Sequence, residues 1–408
     1  AAKAALYEDA AAENKTLRLA IQDLKGTVRV FCRVRPAVPG LDARASPAAD
    51  GDGGDGEDTA AEATKDADGD STRVVVTCRE RRGEDARLTR RSFSFDRAFG
   101  PGASQAEVYE ACRPLVRCVV DGHNACLLAY GQTGSGKTHT MSGPTTSGRR
   151  GACEDDAASS GINHRALADV FAVARARDAV AAHVVTVSVL EIYNEECRDL
   201  LAGGEKGGKI DVSASARPGD ACVNNVPDAV ARVVRDAEDV WAAMREGEAR
   251  RSTGATAMNA RSSRSHSVVI VRVDAVSRES NERTRGALYL VDLAGSERVA
   301  RSEARGDRLT EARHINKSLS ALGDVVAALR GKAAHVPYRN SKLTALLRDA
   351  LGPNGKAALF AHVSPAAASA DESVSTLTFA ERATAVELGR AKKTRVRAFE
   401  ASARNTRE

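Results

Sequence analysis

The residues with the clearest chemical purpose are Gly131 to Thr138, GQTGSGKT, which satisfy the pattern G-x-x-x-x-G-K-[ST] directly after the apolar run NACLLAY at 124–130. Glycines let a backbone wrap phosphate oxygens and present N–H groups to them, and a helix starting there adds the positive end of its dipole. Gly131, Gln132, Thr133, Gly134, Ser135 and Gly136 supply that cradle, Lys137 reaches the β and γ phosphates, and the Thr138 hydroxyl is placed to ligate Mg²⁺. Such a loop needs an acid at the end of a neighbouring core strand. Asp292, in LYLVDLAGSE, has that position and can hold the metal through water. Gly295 can offer its N–H to a γ-phosphate with no side chain in the way. Asn259 to His266, NARSSRSH, add hydroxyls that can ligate metal or orient water and arginines that can pair with a carboxylate. No side chain in these segments is an obvious strong base, so positioning and electrostatics must supply most of any catalysis.

These groups need a scaffold of strands ending together. Strands are expected at 28–35, 73–78, 124–130, 183–193, 266–273, 286–292 and 357–363, where β-branched and aromatic residues cluster, and helices at 161–178, 227–250 and 308–330. This alternation predicts an α/β fold with helices on both faces of a sheet. Residues 1–25 read as a helix with a heptad register, a at Tyr7, Asn14 and Ile21, d at Ala10, Leu17 and Leu24. An Asn at an a position favours a parallel dimer in fixed register, so this segment is expected to be the end of a coiled coil. Residues 42–70 are expected to be a disordered acidic insertion and 144–161 a shorter loop insertion, both rich in small polar residues.

The chain has 408 residues and a net charge of +5. Segment 42–70 carries ten acids against Arg44 and Lys65, a net −8, which leaves +13 on the remainder. A basic body suits an acidic partner surface. No apolar run approaches the roughly 18 residues of a membrane-spanning helix, and the chain's start does not read as a signal peptide. The eight cysteines form no C-x-x-C pair, which points to reduced thiols rather than a zinc site.

Taken together, RVRP at 33–36, AYGQTGSGKTHTM at 129–141, NARSSRSH at 259–266, DLAGSER at 292–298, HINKSLSALGDV at 314–325 and HVPYRNSKLT at 335–344 resemble the kinesin motor domain over roughly residues 26–390. QDLKGTVRVFCRVRP at 22–36, a helical neck leading into the motor, and FAERATAVELGRAKK at 379–393, which closes it, resemble the C-terminal-motor, minus-end-directed family fourteen, and the segments 115–144 and 301–318 resemble its plant and green-algal branch. The resemblance implies a three-layer P-loop NTPase fold around a mostly parallel or mixed sheet, with a coiled-coil neck helix at 1–25 and a basic tail at 391–408. It implies a microtubule-stimulated ATPase motor using ATP and Mg²⁺, working as a cytoplasmic homodimer on the cytoskeleton, the spindle included, without membrane span or nucleic acid. The alternative is a nucleotide-holding, non-motile microtubule crosslinker.

Residue by residue, the resemblance assigns Arg33, Pro36 and His139 to the adenine. Ser262 goes to the γ-phosphate, Ser263 to Mg²⁺, and Asn259 to the nucleotide and lytic water. Arg264 is expected to pair with Glu297, which accepts the proton through water. Lys317, His335, Arg339 and Lys342 are expected to face acidic tubulin. Thr27 stands where the minus-end class commonly has Asn, and its hydroxyl is expected to bond to the motor body instead. LGPNGK at 351–356 and Ala345 also depart from the family pattern.

Overall fold

The computed structural model describes residues 26–38, 42, 60–64, 72–82, 85–144, 158–204, 207–212, 226–253, 263–298, 307–353, 355–391 and 393–396. The heptad segment 1–25 lies outside the described residues, as do most of 42–70, residues 145–157 of the second insertion, and 397–408.

The strands are β1 (Arg29–Val34), β2 (Ala61–Thr64), β3 (Arg73–Arg82), β4 (Asp85–Ser94), β5 (Arg97–Phe99), β6 (Asn124–Tyr130) and β7 (Ala181–Tyr193). They continue with β8 (Glu196–Asp199), β9 (Gly208–Ile210), β10 (Arg232–Val234), β11 (His266–Ser277), β12 (Arg283–Asp292), β13 (Gly355–Val363) and β14 (Thr394–Val396). The helices are α1 (Gln105–Arg117), α2 (Lys137–Ser142), α3 (Ile162–Ala176), α4 (Ala237–Thr253), α5 (Asp307–Arg330), α6 (Lys342–Leu346) and α7 (Ala370–Thr384).

One large sheet has the order β5-β1-β13-β6-β12-β11-β7-β8-β9, with β10 added to β7 and β14 to β12. From β5 to β12 neighbours are parallel, and from β12 onward they are antiparallel, so the sheet is mixed. The central strand β6 is apolar along its length and buried on both faces, the pattern required of a strand covered on both sides. Parallel neighbours deliver their C-terminal ends to one edge: Ala129 lies opposite both Asp292 and Phe360, and Val34 lies opposite Val363. Ligands of open α/β sheets sit at that edge.

Two apolar layers hold the helices on. Phe31, Leu127 and Phe360 pack with α1, α3 and α4 on one face; Leu128 and Leu359 pack with α5, α6 and α7 on the other. Each fully buried Leu or Phe contributes about 1.5–3 kcal/mol. Helix α1 starts in a capping box, in which Glu107 N–H donates to Ser104 Oγ at 3.2 Å and Ser104 N–H donates to the Glu107 carboxylate at 2.8 Å.

Two expectations need correction, and one strand was not foreseen. Within the acidic insertion, Ala61–Thr64 form strand β2 beside β3, and Ala60 and Ala61 are buried, because small apolar side chains fit that edge whatever the charge around them. Within the basic tail, Thr394–Val396 form β14 on β12, with Thr394 N–H donating to the Gly122 carbonyl at 2.9 Å. The helix expected at 227–250 starts only at Ala237; Pro227 introduces a turn, and Arg232–Val234 pair with β7 instead.

At the chain entry, Leu388 N–H donates to the Gly26 carbonyl at 2.9 Å and Val28 N–H to the Val386 carbonyl at 3.0 Å. Gly26 has φ +63°, and a Cβ there would lie 1.8 Å from the Gly389 carbonyl oxygen, so only glycine fits. The Thr27 hydroxyl, expected to bond to the body, is buried without a hydrogen-bond partner. Thr27→Val should therefore leave stability unchanged or raise it by about 1 kcal/mol, since an isosteric apolar group removes an unsatisfied donor. Denaturant unfolding checks this, and a loss larger than 1 kcal/mol would show that the hydroxyl is bonded.

Candidate active site

The segment after β6 is forced back across the sheet edge at its first residue. Gly131 has φ +147°, and a Cβ would lie 2.3 Å from the His362 carbonyl oxygen at the end of β13, so this close approach needs glycine. Lys137 is buried, and its Nζ donates to the carbonyls of Gly131 at 2.8 Å and Gln132 at 2.9 Å. Burial lowers its pKa, opposed by the negative charges of Asp292 and Glu297. Ser135 is buried too, donating to the Gln132 carbonyl at 2.8 Å, while Thr133, Gly134, Thr138 and His139 are exposed along the outer side of the loop.

The parallel pairing of β6 and β12 brings the expected metal residues together. Thr138 Oγ1 donates to Asp292 Oδ2 at 2.6 Å, and Asp292 Oδ1 is buried with no partner. Burial raises the carboxyl's pKa, against the pull of Lys137 and Thr138. A hydroxyl beside a carboxylate with an unsatisfied buried oxygen is an all-oxygen donor set, the kind Mg²⁺ takes directly or through water. Ser263 lies next to this floor, since its carbonyl accepts the Gly295 N–H at 2.9 Å. Thr138 and Asp292 therefore fit the metal expected of them, and Ser263 is brought to their neighbourhood by its backbone. Among the described residues no cluster of His, Cys, Asp and Glu offers a competing site.

The loop after β12 lies across the phosphate loop. Ser296 N–H donates to the Gly131 carbonyl at 3.1 Å, and Glu297 accepts from Thr133 N–H at 2.8 Å and Thr133 Oγ1 at 2.6 Å. The expected Arg264–Glu297 pair is not formed. Arg264 instead pairs with Glu311 of α5 at 3.1 Å, and Glu311 also accepts from the Tyr193 hydroxyl. Each charge takes the donors or acceptors nearest to it: Glu297 has two on Thr133, and Arg264 meets a carboxylate already positioned by Tyr193. The Gly295 N–H, expected to face the γ-phosphate, is donated to Ser263. Asn259 and Ser262 lie outside the described residues.

On the adenine side, Arg33 and Pro36 part company. Pro36 is exposed, but Arg33 is only 9% exposed, and its guanidinium donates to Gln105 Oε1 at 2.8 Å, Thr140 Oγ1 at 2.9 Å and the Ala103 carbonyl at 3.1 Å. Burial lowers its pKa, and burial together with Arg33 lowers that of His139. Arg33 therefore braces the wall behind His139, whose carbonyl accepts from Gln105 Nε2 at 2.7 Å. The arginine that reaches the phosphate loop is Arg35, donating to the Gly134 carbonyl at 2.8 Å and to Asp42 at 2.6 and 2.7 Å. Sequence reasoning passed over it, although its place in RVRP was the one available signal.

Of the four basic positions on the α5–α6 segment, Lys317, His335 and Arg339 are exposed. Lys342 is half-buried, with Nζ 2.5 Å from Asp211.

Comparison with known proteins agrees with this geometry. The family model described as the kinesin motor domain matches residues 50–386. The chain is 44% identical over 386 residues to the kinesin-like protein KIN-14K of Oryza sativa subsp. japonica, covering 95% of this chain and 35% of that protein. It is 46% identical over 380 residues to the kinesin-like protein KIN-14J of Arabidopsis thaliana, covering 93% and 33%. It thus spans about a third of the length of these curated relatives. Among solved structures, a fast kinesin gives a TM-score of 0.75 at 32% identity, covering 94% of this chain and 97% of that one. The motor domain of the Kar3-like kinesin from Ashbya gossypii gives 0.67 at 30%, covering 88% and 99%.

His362, at the end of β13 beneath the loop, was also unforeseen. It is buried, neither ring nitrogen makes a well-formed hydrogen bond, and burial with Arg33 and Lys137 drives its pKa down to about 3. An unfolded-chain histidine titrates near 6.5, so below that pH the unfolded state takes a proton the folded state refuses. Stability should fall as pH drops from about 6.5 towards 3, by at most about 1.4 kcal/mol per pH unit from this residue. His362→Gln should flatten that slope in denaturant unfolding between pH 7.5 and 5, and an unchanged slope would remove His362 as its source.

Proposed function

This chain belongs to the kinesin motor-domain family, and on that premise we propose that it is a microtubule-stimulated ATPase motor directed towards the minus end. The observation that carries the reading is the Thr138–Asp292 pair at 2.6 Å beside the buried Lys137, with the loop 292–298 laid over the phosphate loop.

Backbone N–H groups of residues 131–138 and the Lys137 ammonium hold the phosphates of ATP. Thr138, Ser263 and Asp292 hold Mg²⁺, which neutralises phosphate charge when bound. Pro36 and His139 flank the base. Glu297 leaves Thr133 and Arg264 leaves Glu311 so that the two pair, closing the loops over the γ-phosphate. In that arrangement Gly295 turns its N–H from Ser263 to the phosphate, Ser262 serves the γ-phosphate, Asn259 helps hold the nucleotide and the lytic water, and Glu297 accepts the proton through water. The breaking bond is the one between the γ-phosphorus and the bridging oxygen, whose charge the Lys137 ammonium stabilises.

The acidic track surface meets Lys317, His335 and Arg339, and Lys342 joins by exchanging Asp211 for tubulin. Residues 1–25 form the dimeric coiled-coil lever. This lever enters the core at Gly26, which supports an N-terminal mechanical element and hence minus-end direction. The relatives' printed names, kinesin-like proteins KIN-14K and KIN-14J, fit the family-fourteen resemblance from which the direction is inferred, and the protein acts in the cytoplasm on microtubules, the spindle among them.

Glu297→Ala should slow hydrolysis at least a hundredfold, about 2.7 kcal/mol of barrier, with ATP affinity nearly intact, whereas Lys137→Ala should weaken ATP binding itself. Single-turnover hydrolysis and nucleotide titration separate the two, and near-normal turnover in Glu297→Ala would remove that residue from the mechanism.

Gliding of polarity-marked microtubules should be minus-end-directed. Lys317→Glu with Arg339→Glu should weaken track binding steeply at unchanged basal turnover, and wild-type binding should fall with added salt. Plus-end gliding would refute the lever argument, and microtubule binding without stimulated turnover would identify a non-motile crosslinker.

A further inference from the structure

His266, the first residue of β11, is 2% exposed and joins three segments that the sequence keeps far apart. Its Nδ1 accepts the Ala294 N–H at 3.0 Å. Its Nε2 lies 2.7 Å from Ser318 Oγ on α5, and that hydroxyl donates to the Ile315 carbonyl at 2.8 Å. These bonds fix the tautomer. An amide can only donate, so Nδ1 is the acceptor; the ring proton is then on Nε2, and Ser318 must accept it while sending its own hydrogen to Ile315. Burial, with Arg251 and Lys137 nearby, pulls the ring's pKa down to about 3, in keeping with a neutral ring.

We propose that His266 is a positioning residue for the reaction: its two ring nitrogens tie the peptide between Asp292 and Gly295 to Ser318 of α5, so that the loop over the phosphates and the helix bearing Lys317 shift as one body. The ring's own backbone is held from the other side, because Arg251, itself buried, donates to the Ser265 carbonyl at 2.9 Å and to Ser265 Oγ at 3.0 and 3.1 Å. A displaced loop therefore cannot be absorbed by the ring sliding along β11. The Arg264–Glu311 pair also links these segments, but it is partly exposed and is the contact that must break when Arg264 turns to Glu297. The tie through His266 is fully buried and needs no exchange of partners, so it carries displacement through that step.

This inference rests on the motor reading, and its test uses one readout that needs no track. In the full chain, Ser318→Ala removes the acceptor on the helix, whereas Ser318→Thr retains a hydroxyl. His266→Leu removes both ring bonds, whereas His266→Gln keeps one acceptor and one donor. Hydrogen exchange of residues 307–330 should differ between ADP and a non-hydrolysable ATP analogue in wild type. That difference should shrink at least threefold in Ser318→Ala and His266→Leu and persist in at least one of Ser318→Thr and His266→Gln, with nucleotide affinity within twofold throughout. Stimulation by microtubules should fall at least tenfold in the first two variants, with basal turnover of Ser318→Ala within twofold. An exchange response in Ser318→Ala and His266→Leu equal to wild type would overturn the tie, as would a wild-type helix indifferent to nucleotide. A wild-type protein that ignores microtubules while its helix responds through Ser318 would refute the motor reading and uphold the tie.

Discussion

A buried ammonium and a half-buried carboxylate share the floor of this site, and most of the architecture follows from keeping both tolerable. Lys137 and Asp292 each lose hydration, and burial works against the charged form of each. They oppose that cost in one another, and short bonds add to it, from Lys137 to two carbonyls and from Thr138 to Asp292. Such an arrangement requires β6 and β12 to be adjacent and parallel, with Asp292 in register with Ala129. It also requires helices on both faces to keep water away, and a glycine at 131 so the loop can turn back over β13.

What the sequence disclosed follows from the same constraint. A strand covered on both faces must be apolar throughout, so NACLLAY and GALYLVD were legible as β6 and β12, and the residues directly after them were legible as the site. Partner choice was not legible. Arg264 and Glu297 have opposite charges and appropriate spacing, yet each finds a nearer partner, and nearness depends on how α5 and the phosphate loop approach in space. Arg33 and Arg35 are two residues apart on one strand and its end, and nothing in RVRP says which meets buried Gln105 and Thr140 and which meets the Gly134 carbonyl. Strands β2 and β14, of four and three residues, are too short for a period-two pattern to register.

The two halves of the sheet divide the labour. The parallel half gathers the ends of β1, β6, β12 and β13 at the nucleotide edge. The antiparallel half is built of long strands, β7, β11 and β12, that carry structure away from that edge: β11 begins at His266 beside the site and runs to Ser277, and β12 accepts β14 at its far end. One strand, β12, belongs to both halves, so the segment that ends in Asp292 also anchors the last described strand of the chain.

The clasp at the chain entry has a mechanical consequence set by its direction. Gly26 faces Leu388, and Val28 faces Val386, so the two segments are antiparallel and residues 26 and 389 lie at the same end. Load that pulls residue 26 away from residue 389 meets the two hydrogen bonds one after the other, as in opening a zipper, and each yields alone. Load that draws both segments the same way leaves the bonds unstressed and passes into β1 and α7. The junction is therefore compliant to one direction of force and stiff to another, and glycine at 26 keeps the two backbones close enough for that difference to exist.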